Sequence, residues 1–585
     1  MATVAERWAD DPLVLALQVS RRLPSSVVQP AARLVRAVVP KNSFGVPVLL
    51  ACHASGDTAG LQRRFAAALD AGIDGDRARA AADVALAAND PERAATFLEL
   101  ASNTARPPRK LPATQARNQR YGGHMAKAVA GLETAAGAGM ARQRNRLAGE
   151  LRIFQGWAPQ LQHGGMAGRP SSAAVPEVPR DSKRVLHLLT NSLPHTASGY
   201  AQRTHSILAA QQQAGWDTLA VTRLGYPVQV GKLLARPQDE VDGVTYRRLL
   251  PGRLSATADG RLQQQAEELL AIAREFRPDV LHTTTHFVNG LVAREVAAAL
   301  DIPWVYEVRG QLADTWAAKR GPDARSSEYY RLFQAREAEL MRGADLVVTL
   351  GQAMKDNIVA AGVPEANILI SPNAVGGDFL VEPGTTTQAR EALGLPADGQ
   401  YIGTVSSLVG YEGLDDLVAA FALLAPNHPG LRLLIVGDGT ERAALQEQVR
   451  VLGLADRAIF TGRVPKQLTP LYHQALDVFV VPRKDLDVTR SVTPLKPVEA
   501  AASGRPVVAS DLPALRELVN DGGTGRLVPA EDPDALARVL GELLDDPAQR
   551  IDLGSRGRAS VLRTRTWAAN AAVLDNAYQR LRRAG

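Results

Sequence analysis

Short apolar runs alternate with longer amphipathic segments through most of the chain. Between residues 183 and 395 the runs include RVLHLL, TLAVT and WVYEV, and segments with helical periodicity separate them. Residues 396–565 repeat this alternation with YIGTV, LRLLIV and VFVV. Strands that alternate with helices are typical of parallel sheets covered by helices on both faces. The pattern therefore predicts two doubly wound α/β domains.

Residues 1–162 lack this alternation and are rich in alanine, which favours helix. The hexads GDTAGL, NDPERA and GHMAKA begin at Gly56, Asn89 and Gly123, so they are 33 and 34 residues apart. The period, with a turn before each helix, resembles tetratricopeptide helical hairpins, although the bulky aromatic positions of that repeat are mostly absent. An irregular helical bundle is the alternative. In both cases we expect an all-α domain.

The first forty residues mix the apolar stretches PLVLALQV and ARLVRAVV with Arg21, Arg22, Arg33 and Arg36. A basic amphipathic helix can lie on an anionic membrane. More often such a helix packs on its neighbours. We therefore predict that residues 1–162 meet either a protein partner or a membrane surface.

The segment 163–182, HGGMAGRPSSAAVPEVPRDS, is dense in Gly, Pro, Ser and Ala. This composition predicts a linker. The expected organisation is therefore a helical domain (1–162), a linker (163–182), a first α/β domain (183–395), a second α/β domain (396–565) and a final helix (566–585).

The composition narrows the possible environments of the chain. A formal charge of +6 spread over 585 residues is weak evidence for nucleic acid, so we expect no nucleic-acid partner. Cys52 is the only cysteine, which excludes an intramolecular disulfide and fits a reducing compartment. The chain shows no apolar run of membrane-spanning length and no secretory signal at its start. These features predict a cytoplasmic protein, with peripheral attachment to the inner membrane face left open.

The stretch 480–510 gathers charge where a helix is expected to begin. Thr493 is the predicted N-cap and Pro494 the first helical residue. The free N–H groups of a helix N-terminus suit a phosphate. Lys496 and Glu499 are three residues apart and share one helical face, where a cation can hold a diphosphate and a carboxylate can accept two ribose hydroxyls. An ordinary αβ unit with a solvated Lys–Glu pair is the alternative.

The sequence KPVEAAASGRPVVAS, followed by ELVNDGGTGRLV, resembles the donor-site segment of retaining, nucleotide-sugar-dependent glycosyltransferases of group 1, the family 4-like enzymes. The resemblance implies the GT-B fold, in which two Rossmann-like domains face each other, and no obligatory cofactor or metal. It implies that Glu499 binds the nucleotide ribose and that Lys496, helped by Arg483, stabilises the departing diphosphate. It also implies that the helix 566–585 crosses back to the first domain.

Other donor contacts follow from the same resemblance. The motif SGYAQRT resembles the glycine loop of the family's acceptor-side domain, especially in a branch associated with bacterial exopolysaccharide and exosortase clusters. Its glycine lets backbone N–H groups approach a ligand. In relatives, backbone in the second domain binds the nucleotide base; a G-x-G turn there is also common in ordinary loops. The donor-binding candidates are Gly199, Tyr200, Ser407, Gly437, Gly439, Arg463, Val464 and Leu495.

The chain departs from the family at three donor contacts. Many relatives carry an Arg and a Lys after the first donor-domain strand, where this chain has Ser407 and Glu412. They also carry a Glu where this chain has Ser491. We predict that other basic residues of the donor loop replace the missing charge, namely Arg483, Lys484, Arg490 and Lys496.

Polar residues also follow two strands of the first α/β domain. The turn HTTTHFVN contains His282 and His286, and Arg309 ends the next strand, near the place where many relatives have a His. Polar groups at the carboxyl ends of strands line ligand clefts, so these three residues are predicted to line the acceptor-side cleft. We expect no metal: the two histidines share a face only on a helix, and three Thr residues between them disfavour one. Asp485 and Asp487 are interpreted as a loop charge pair.

The predicted function is transfer of a sugar from a nucleotide sugar, with retention, to a cell-surface glycan, polysaccharide or lipid-linked acceptor. Two alternatives stay open. One is a sugar-nucleotide epimerase, which uses a related fold. The other is a catalytically degenerate transferase that acts as a scaffold through its helical domain. The sequence does not identify the base, the sugar or the acceptor.

Overall fold

The structure is a computed structural model that describes residues 11–20, 25–38, 45–162, 183–232, 234–318 and 320–584. The predicted linker 163–182 lies outside these residues, as do Arg21 and Arg22 of the basic start. No helix within the described ranges is both long enough and apolar enough to cross a membrane.

The described part of the first 162 residues is helical, as its alanine content predicts. The three hexads lie at turns, and each turn opens a helix: the side chains of Asp57 and Asp90 accept hydrogen bonds from the first turns of α4 and α6. The relation to tetratricopeptide repeats stays a prediction. The helices are α1 (Pro12–Ser20), α2 (Ser25–Val38), α3 (Val46–Ser55), α4 (Thr58–Ala71), α5 (Gly75–Ala87), α6 (Pro91–Ser102), α7 (Leu111–Tyr121), α8 (Met125–Ala130) and α9 (Ala138–Phe154).

The first α/β domain is built on one sheet in the order β3-β4-β2-β1-β5-β6-β7-β8. Its neighbouring strands are parallel except for β3 and β4. The strands are β1 (Lys183–Leu189), β2 (Trp216–Thr222), β3 (Gln238–Val241), β4 (Val244–Arg248), β5 (Val280–Thr284), β6 (Trp304–Val308), β7 (Leu346–Thr349) and β8 (Ile368–Ile370). The helices are α10 (Gly199–Gln213), α11 (Ala258–Phe276), α12 (Phe287–Leu300), α13 (Leu312–Ala317), α14 (Glu328–Gly343) and α15 (Gln352–Ala360).

The second α/β domain has a wholly parallel sheet in the order β11-β10-β9-β12-β13-β14. The predicted architecture of two doubly wound domains behind a helical domain is therefore confirmed. The strands are β9 (Gln400–Val405), β10 (Leu431–Val436), β11 (Ala458–Gly462), β12 (Val478–Val481), β13 (Val507–Ser510) and β14 (Gly525–Val528). The helices are α16 (Thr386–Ala392), α17 (Leu414–Leu424), α18 (Arg442–Val451), α19 (Thr469–Gln474), α20 (Asp487–Ser491), α21 (Lys496–Ala502), α22 (Pro513–Arg516), α23 (Pro533–Asp545), α24 (Pro547–Thr564) and α25 (Trp567–Ala584).

Helix α21 begins later than the sequence predicts. Thr493 is not its N-cap, because the helix starts at Lys496 and Leu495 takes the capping position. The Thr493 carbonyl instead accepts a hydrogen bond from Asn373 Nδ2 at 2.8 Å, which holds this segment against the first α/β domain. Pro497 falls in the first helical turn, where its missing N–H leaves no intrahelical bond unmade.

Helix α25 returns from the second domain and packs on the first. The side chain of Asp575 accepts from Lys183 Nζ and from Trp216 Nε1, each at 2.9 Å. Leu574 and Tyr578 are buried against β1 and β5, in a cluster with Val185 and Val280. The end of the chain therefore closes one face of the first sheet.

The helical domain shares a hydrophobic core with the first α/β domain. Phe154, at the end of α9, has its ring centroid 5.0 Å from that of Phe287 and 5.9 Å from that of Phe333. Leu151 and Ile153 belong to the same buried cluster. The helical domain therefore does not fold independently of the first α/β domain, because its last helix supplies core side chains to the first sheet.

Backbone contacts reinforce this junction. The carbonyl of Gly123 accepts from the N–H of Tyr329 at 2.9 Å, at the start of α14. Gly123 has φ +84°, and a Cβ added there would lie 2.6 Å from Ser327 Oγ. Any other residue would meet both backbone strain and a clash. The third hexad thus has glycine at a close approach between the two domains.

We expect Phe154→Ala to lower the free energy of unfolding by about 3–5 kcal/mol, because it empties a buried aromatic site shared by two domains. Denaturant unfolding followed by tryptophan fluorescence measures this. Leu100→Ala, at a side chain 38% exposed, is the control and should change stability little.

A chain beginning near Ser182 would expose Phe287 and Phe333 to water and is expected to be poorly soluble. A soluble truncated chain with an unchanged melting temperature would contradict the shared core.

Candidate functional site

Several of the predicted site residues follow the strands at the switch points of the two sheets. In the first sheet the strand order reverses between β1 and β5, and in the second between β9 and β12. Ligands of doubly wound sheets bind beyond the carboxyl ends of the strands at such points. Gly199 follows β1, His286 follows β5, Ser407 follows β9 and Arg483 follows β12. The two switch points therefore define one candidate cleft.

Glu499 lies on α21 with its side chain 12% exposed. The Lys496 ammonium donates to its Oε2 at 3.2 Å, and His473 Nε2 lies 3.6 Å from the same oxygen. Burial alone would raise the pKa of this carboxyl, but Lys496 and His473 outweigh it and bring the pKa down to about 2. The carboxylate is therefore charged at neutral pH. Lys496 is 36% exposed, which leaves its ammonium accessible from the cleft.

Arg483 is already paired. Its guanidinium donates to both carboxylate oxygens of Glu412, at 2.8 and 3.2 Å, and to the carbonyl of Val492 at 3.0 Å. Bidentate pairs of this kind fix both side chains. Most of the positive charge predicted for Arg483 is therefore neutralised by Glu412, the residue that stands where many relatives carry a Lys.

The other charges of the donor loop are paired as well. Lys484 Nζ bonds Asp415 at 2.6 Å. Arg490 pairs with Asp485, and Asp487 pairs with Arg325 of the first domain. The loop carboxylates thus have cationic partners, which agrees with their interpretation as loop charge pairs. Among the described residues no group of three or more His, Cys, Asp or Glu could hold a metal ion.

The glycine loop is fixed by Arg309. Its guanidinium donates to the Tyr200 carbonyl at 3.0 Å and to Thr204 Oγ1 at 2.6 Å. Arg309 is only 3% exposed, so it acts from beneath the loop. Gly199 and Tyr200 are exposed above it, and a Cβ on Gly199 would meet no atom within 4 Å. The loop therefore presents open backbone to the cleft.

Arg309 belongs to a buried charge cluster around Glu307. Arg203 donates to Glu307 Oε1 from Nε at 2.9 Å and from Nη2 at 2.8 Å, while Arg309 pairs with Oε2. Burial would raise the pKa of Glu307, but the two guanidinium groups hold it well below its usual range. His282, fully buried, lies 3.4 Å from the same carboxylate and bonds the Tyr578 hydroxyl of α25.

Two family descriptions match the two α/β domains. Residues 198–374 match "Glycosyl transferase 4-like domain", and residues 385–560 match "Glycosyl transferases group 1". A D-inositol 3-phosphate glycosyltransferase of Corynebacterium diphtheriae is 31% identical over 341 residues, which are 56% of this chain and 75% of that protein. The chain belongs to the group 1 glycosyltransferases.

Two further relatives are similar over a shorter span. A GDP-mannose-dependent alpha-(1-6)-phosphatidylinositol monomannoside mannosyltransferase of Mycolicibacterium smegmatis is 33% identical over 234 residues, 40% of this chain and 61% of that protein. A 2-deoxystreptamine N-acetyl-D-glucosaminyltransferase of Streptomyces fradiae is 32% identical over 223 residues, 37% of this chain and 51% of that protein. This chain thus spans less than two thirds of the length of either.

The fold is also found in a solved structure. The Anabaena protein Alr3699/HepE, solved in complex with UDP, superimposes with a TM-score of 0.55 at 19% identity, over 68% of this chain and 99% of that chain. The two facing Rossmann-like domains are therefore those of the GT-B fold.

The two histidines predicted to line the acceptor-side cleft lie in different places. His286 caps α12 by accepting from the Val288 N–H at 3.3 Å, and burial with nearby Arg223 lowers its pKa to about 4. It is neutral at physiological pH. His282 does not line an open cleft as predicted, because β5 carries it into the core beneath α25.

Close packing of two loops requires glycine at positions 437 and 439 of the second domain. A Cβ on Gly437 would lie 1.8 Å from the Ser406 carbonyl oxygen, and one on Gly439 would lie 2.0 Å from that of Leu408. The loops after β9 and β10 can therefore touch only through glycine. Ser407 and Arg463 are exposed at this edge, while Val464 and Leu495 are partly buried. Their donor roles stay predictions.

Three residues of the site escaped the sequence analysis. His473 contacts Glu499 from α19, and no local motif marks it. Asn373 reaches the segment before α21 from the first domain. Glu307 did have a signal, since residues two apart in a strand point to the same face, and Arg309 follows it at that spacing.

We expect Glu307→Gln to lower the free energy of unfolding by about 3–5 kcal/mol, because it leaves two buried guanidinium groups without their counter-charge. Tyr578→Phe, which removes one hydrogen bond from the same cluster, should cost about 1 kcal/mol. Urea unfolding measures both.

The pH dependence separates a charge effect from a packing effect. The pKa of Glu307 is lower in the folded protein than in the unfolded chain. Its contribution to the free energy of unfolding is therefore complete above about pH 4.5 and is lost as the pH falls toward the folded pKa. The difference between wild type and Glu307→Gln should shrink in the same direction. A difference that does not change with pH would point to packing alone.

Proposed function

We propose that this glycosyltransferase transfers a hexose, with retention, from a nucleotide diphosphate to a hydroxyl of a glycan, polysaccharide or lipid-linked acceptor. The observation that carries the proposal is Glu499: a nearly buried carboxylate, kept charged by Lys496 and His473, at the switch point of the second sheet. A carboxylate in this environment makes strong hydrogen bonds to a vicinal diol.

The free side of Glu499 supports a ribose ligand. Lys496 and His473 both approach Oε2, and no hydrogen bond to Oε1 is found in the described part of the chain. That oxygen is available to a ribose hydroxyl. Lys496 then stands between the ribose and the diphosphate, where negative charge grows as the sugar leaves.

The proposed reaction needs no side-chain base. The acceptor oxygen forms a bond to the anomeric carbon on the face from which the diphosphate departs. The bond from that carbon to the phosphate oxygen breaks, and its electron pair stays on the phosphate. The acceptor proton passes to the same phosphate oxygen. Lys496 stabilises the leaving diphosphate, and Gly199 offers backbone N–H groups from the facing domain.

The relatives support a hydroxylated acceptor but differ in its charge. Their names specify D-inositol 3-phosphate, phosphatidylinositol monomannoside and 2-deoxystreptamine. All three contain a six-membered carbocycle with several hydroxyl groups. We infer that the acceptor of this chain is also a compact polyol or carries one.

Attachment to a partner or to the inner membrane face remains part of the proposal. Leu34 on α2 is 70% exposed, and Arg33 beside it is exposed as well. An exposed apolar side chain next to a cation suits either an anionic membrane or an acidic protein.

A scaffold without catalytic activity is the second candidate. The observation that favours it is the Arg483–Glu412 pair, which removes one cation from the diphosphate side of the cleft. Lys496 separates the two candidates, because a scaffold has no need of a charge that acts on the leaving group.

We expect Glu499→Gln to weaken binding of UDP or GDP by about 1–3 kcal/mol, the range for losing hydrogen bonds to a charged group. Titration calorimetry measures it. Glu447→Gln, on the outer face of the second domain, is the matched control and should bind nucleotide normally. An unchanged affinity in folded Glu499→Gln protein would refute the ribose assignment.

We expect Lys496→Ala to lower kcat by about 10²–10³-fold, as for loss of one donor to developing negative charge, and to weaken donor binding less. Steady-state release of nucleotide diphosphate from the sugar donor measures the rate. Lys484→Ala, which removes another lysine of the same loop, is the control. Equal rates in wild type and Lys496→Ala would favour the scaffold.

A further inference from the structure

A cavity of about 390 Å³ opens on the acceptor side of the cleft. It lies among α13, α14 and α15, at the carboxyl ends of β5 and β6. Its apolar wall consists of Val308, Met341, Met354 and Ile358. This size and mixed lining are those of a small-molecule site.

Two polar groups in the cavity wall lack partners. Glu337 Oε1 and the hydroxyl of Tyr306 are both inaccessible to water and make no hydrogen bond in the described structure. Buried polar atoms are seldom left unpaired, because each costs free energy without a partner. Both residues line the cavity, so a ligand bound there would meet the carboxyl group of Glu337.

The ionisable side chains that line the cavity are acidic. Glu337 and Asp314 both line it, while no Lys or Arg is found among the described lining residues. Asp314 has partial compensation, since it accepts from the Tyr330 hydroxyl at 2.6 Å and lies 3.8 Å from Arg325. Glu337 has none. Burial, with the charge of Asp314, raises the pKa of Glu337 to about 8.

The cavity adjoins the cleft between the two α/β domains. Gly310 lines it and follows Arg309, and a Cβ on Gly310 would lie 2.8 Å from the hydroxyl of Tyr200 in the glycine loop. On the other side Asn357 lines the cavity and donates to Ser491 Oγ of the second domain at 2.9 Å. The cavity therefore sits between the glycine loop and the donor domain.

We propose that this cavity is the acceptor subsite and that it takes a hydroxylated ring bearing an ammonium group, which pairs with the Glu337 carboxylate. This inference rests on the proposed glycosyl transfer and specifies its acceptor. A phosphorylated ring is disfavoured there, because its charge would meet two carboxyl groups and no cation among the described lining residues.

Binding of the ammonium is coupled to loss of one proton. The neutral Glu337 carboxyl releases its proton to solvent, and the carboxylate then accepts hydrogen bonds from the ammonium. The groups that face Glu337 are Asp314 from α13, Tyr306 from β6 and Tyr200 from α10, with the uncharged Met354, Asn357 and Ile358 from α15. Affinity should therefore rise about tenfold per pH unit below the pKa of Glu337.

Three cyclitols of the same ring size and different charge test the proposal. Calorimetry would compare 2-deoxystreptamine (cationic), myo-inositol (neutral) and D-inositol 3-phosphate (anionic), with the full chain saturated with UDP or GDP. We expect affinity to fall in that order. Glu337→Gln should weaken 2-deoxystreptamine binding by about 10- to 100-fold, leave myo-inositol nearly unchanged and remove the pH dependence.

Two further variants separate charge from shape. Ala338→Phe, which fills the cavity beside Glu337, should abolish binding of both 2-deoxystreptamine and myo-inositol. Glu267→Gln makes the same charge change on α11, away from the cavity, and should bind as wild type does. Melting temperatures confirm that each variant is folded.

The outcomes distinguish this inference from the proposed function. If the protein binds UDP or GDP but prefers inositol 3-phosphate, or binds no 2-deoxystreptamine, the ammonium subsite is wrong and the transferase proposal stands. If neither nucleotide binds, the transferase proposal fails, and the cyclitol series, run without nucleotide, still decides the charge preference of the cavity.

Discussion

The carboxylate of Glu307 is the constraint on which the first α/β domain depends. It is completely buried, and it is tolerated there because Arg203 and Arg309 surround it. Each guanidinium also donates to a backbone carbonyl. Arg309 donates to the carbonyl of Tyr200, and Arg203 donates to the carbonyl of Ser371 at 2.6 Å, near the segment that leads to the second domain. One buried charge thus fixes the glycine loop, a strand end and the interdomain segment relative to one another. The side of the cleft that carries the glycine loop is therefore preorganised before any ligand arrives.

Charge pairing also determines which cations of the donor loop are available to a substrate, and the composition of the loop alone does not show this. Each of the cations that crowd this loop in the sequence is paired with a carboxylate, and in two of the four pairs the carboxylate comes from another segment. Lys496 differs because its partner, Glu499, is itself the candidate ligand of the ribose. A substrate that engages Glu499 would therefore leave the ammonium nearest the diphosphate. The pairs are Arg483–Glu412, Lys484–Asp415, Arg490–Asp485 and Lys496–Glu499.

Local periodicity was sufficient to predict both sheets and the helical start of the chain, because hydrophobic residues recur along the sequence with the period of the strand or helix they belong to. The Lys496–Glu499 contact was predictable for the same reason, since residues three apart on a helix are neighbours. The start of α21 was not, because Asn373 takes the Thr493 carbonyl from far away in the chain. His473 was missed for a similar reason: its approach to Glu499 depends on how α19 packs against α21. Such contacts exist only once the tertiary structure has formed.

Helix α14 links the helical domain to the cavity of the first α/β domain. Phe333 packs against Phe154, and Arg336 donates to the Trp157 carbonyl at 3.0 Å. The next residue, Glu337, and then Met341 line the cavity. An α-helix is stiff over one or two turns, because its backbone hydrogen bonds are made internally. The helical domain therefore positions the cavity wall without itself lining the cavity, within the described residues. We expect a disturbance at Phe154 to reach the proposed acceptor subsite through this one helix, whereas Glu499 lies on α21 of the second domain.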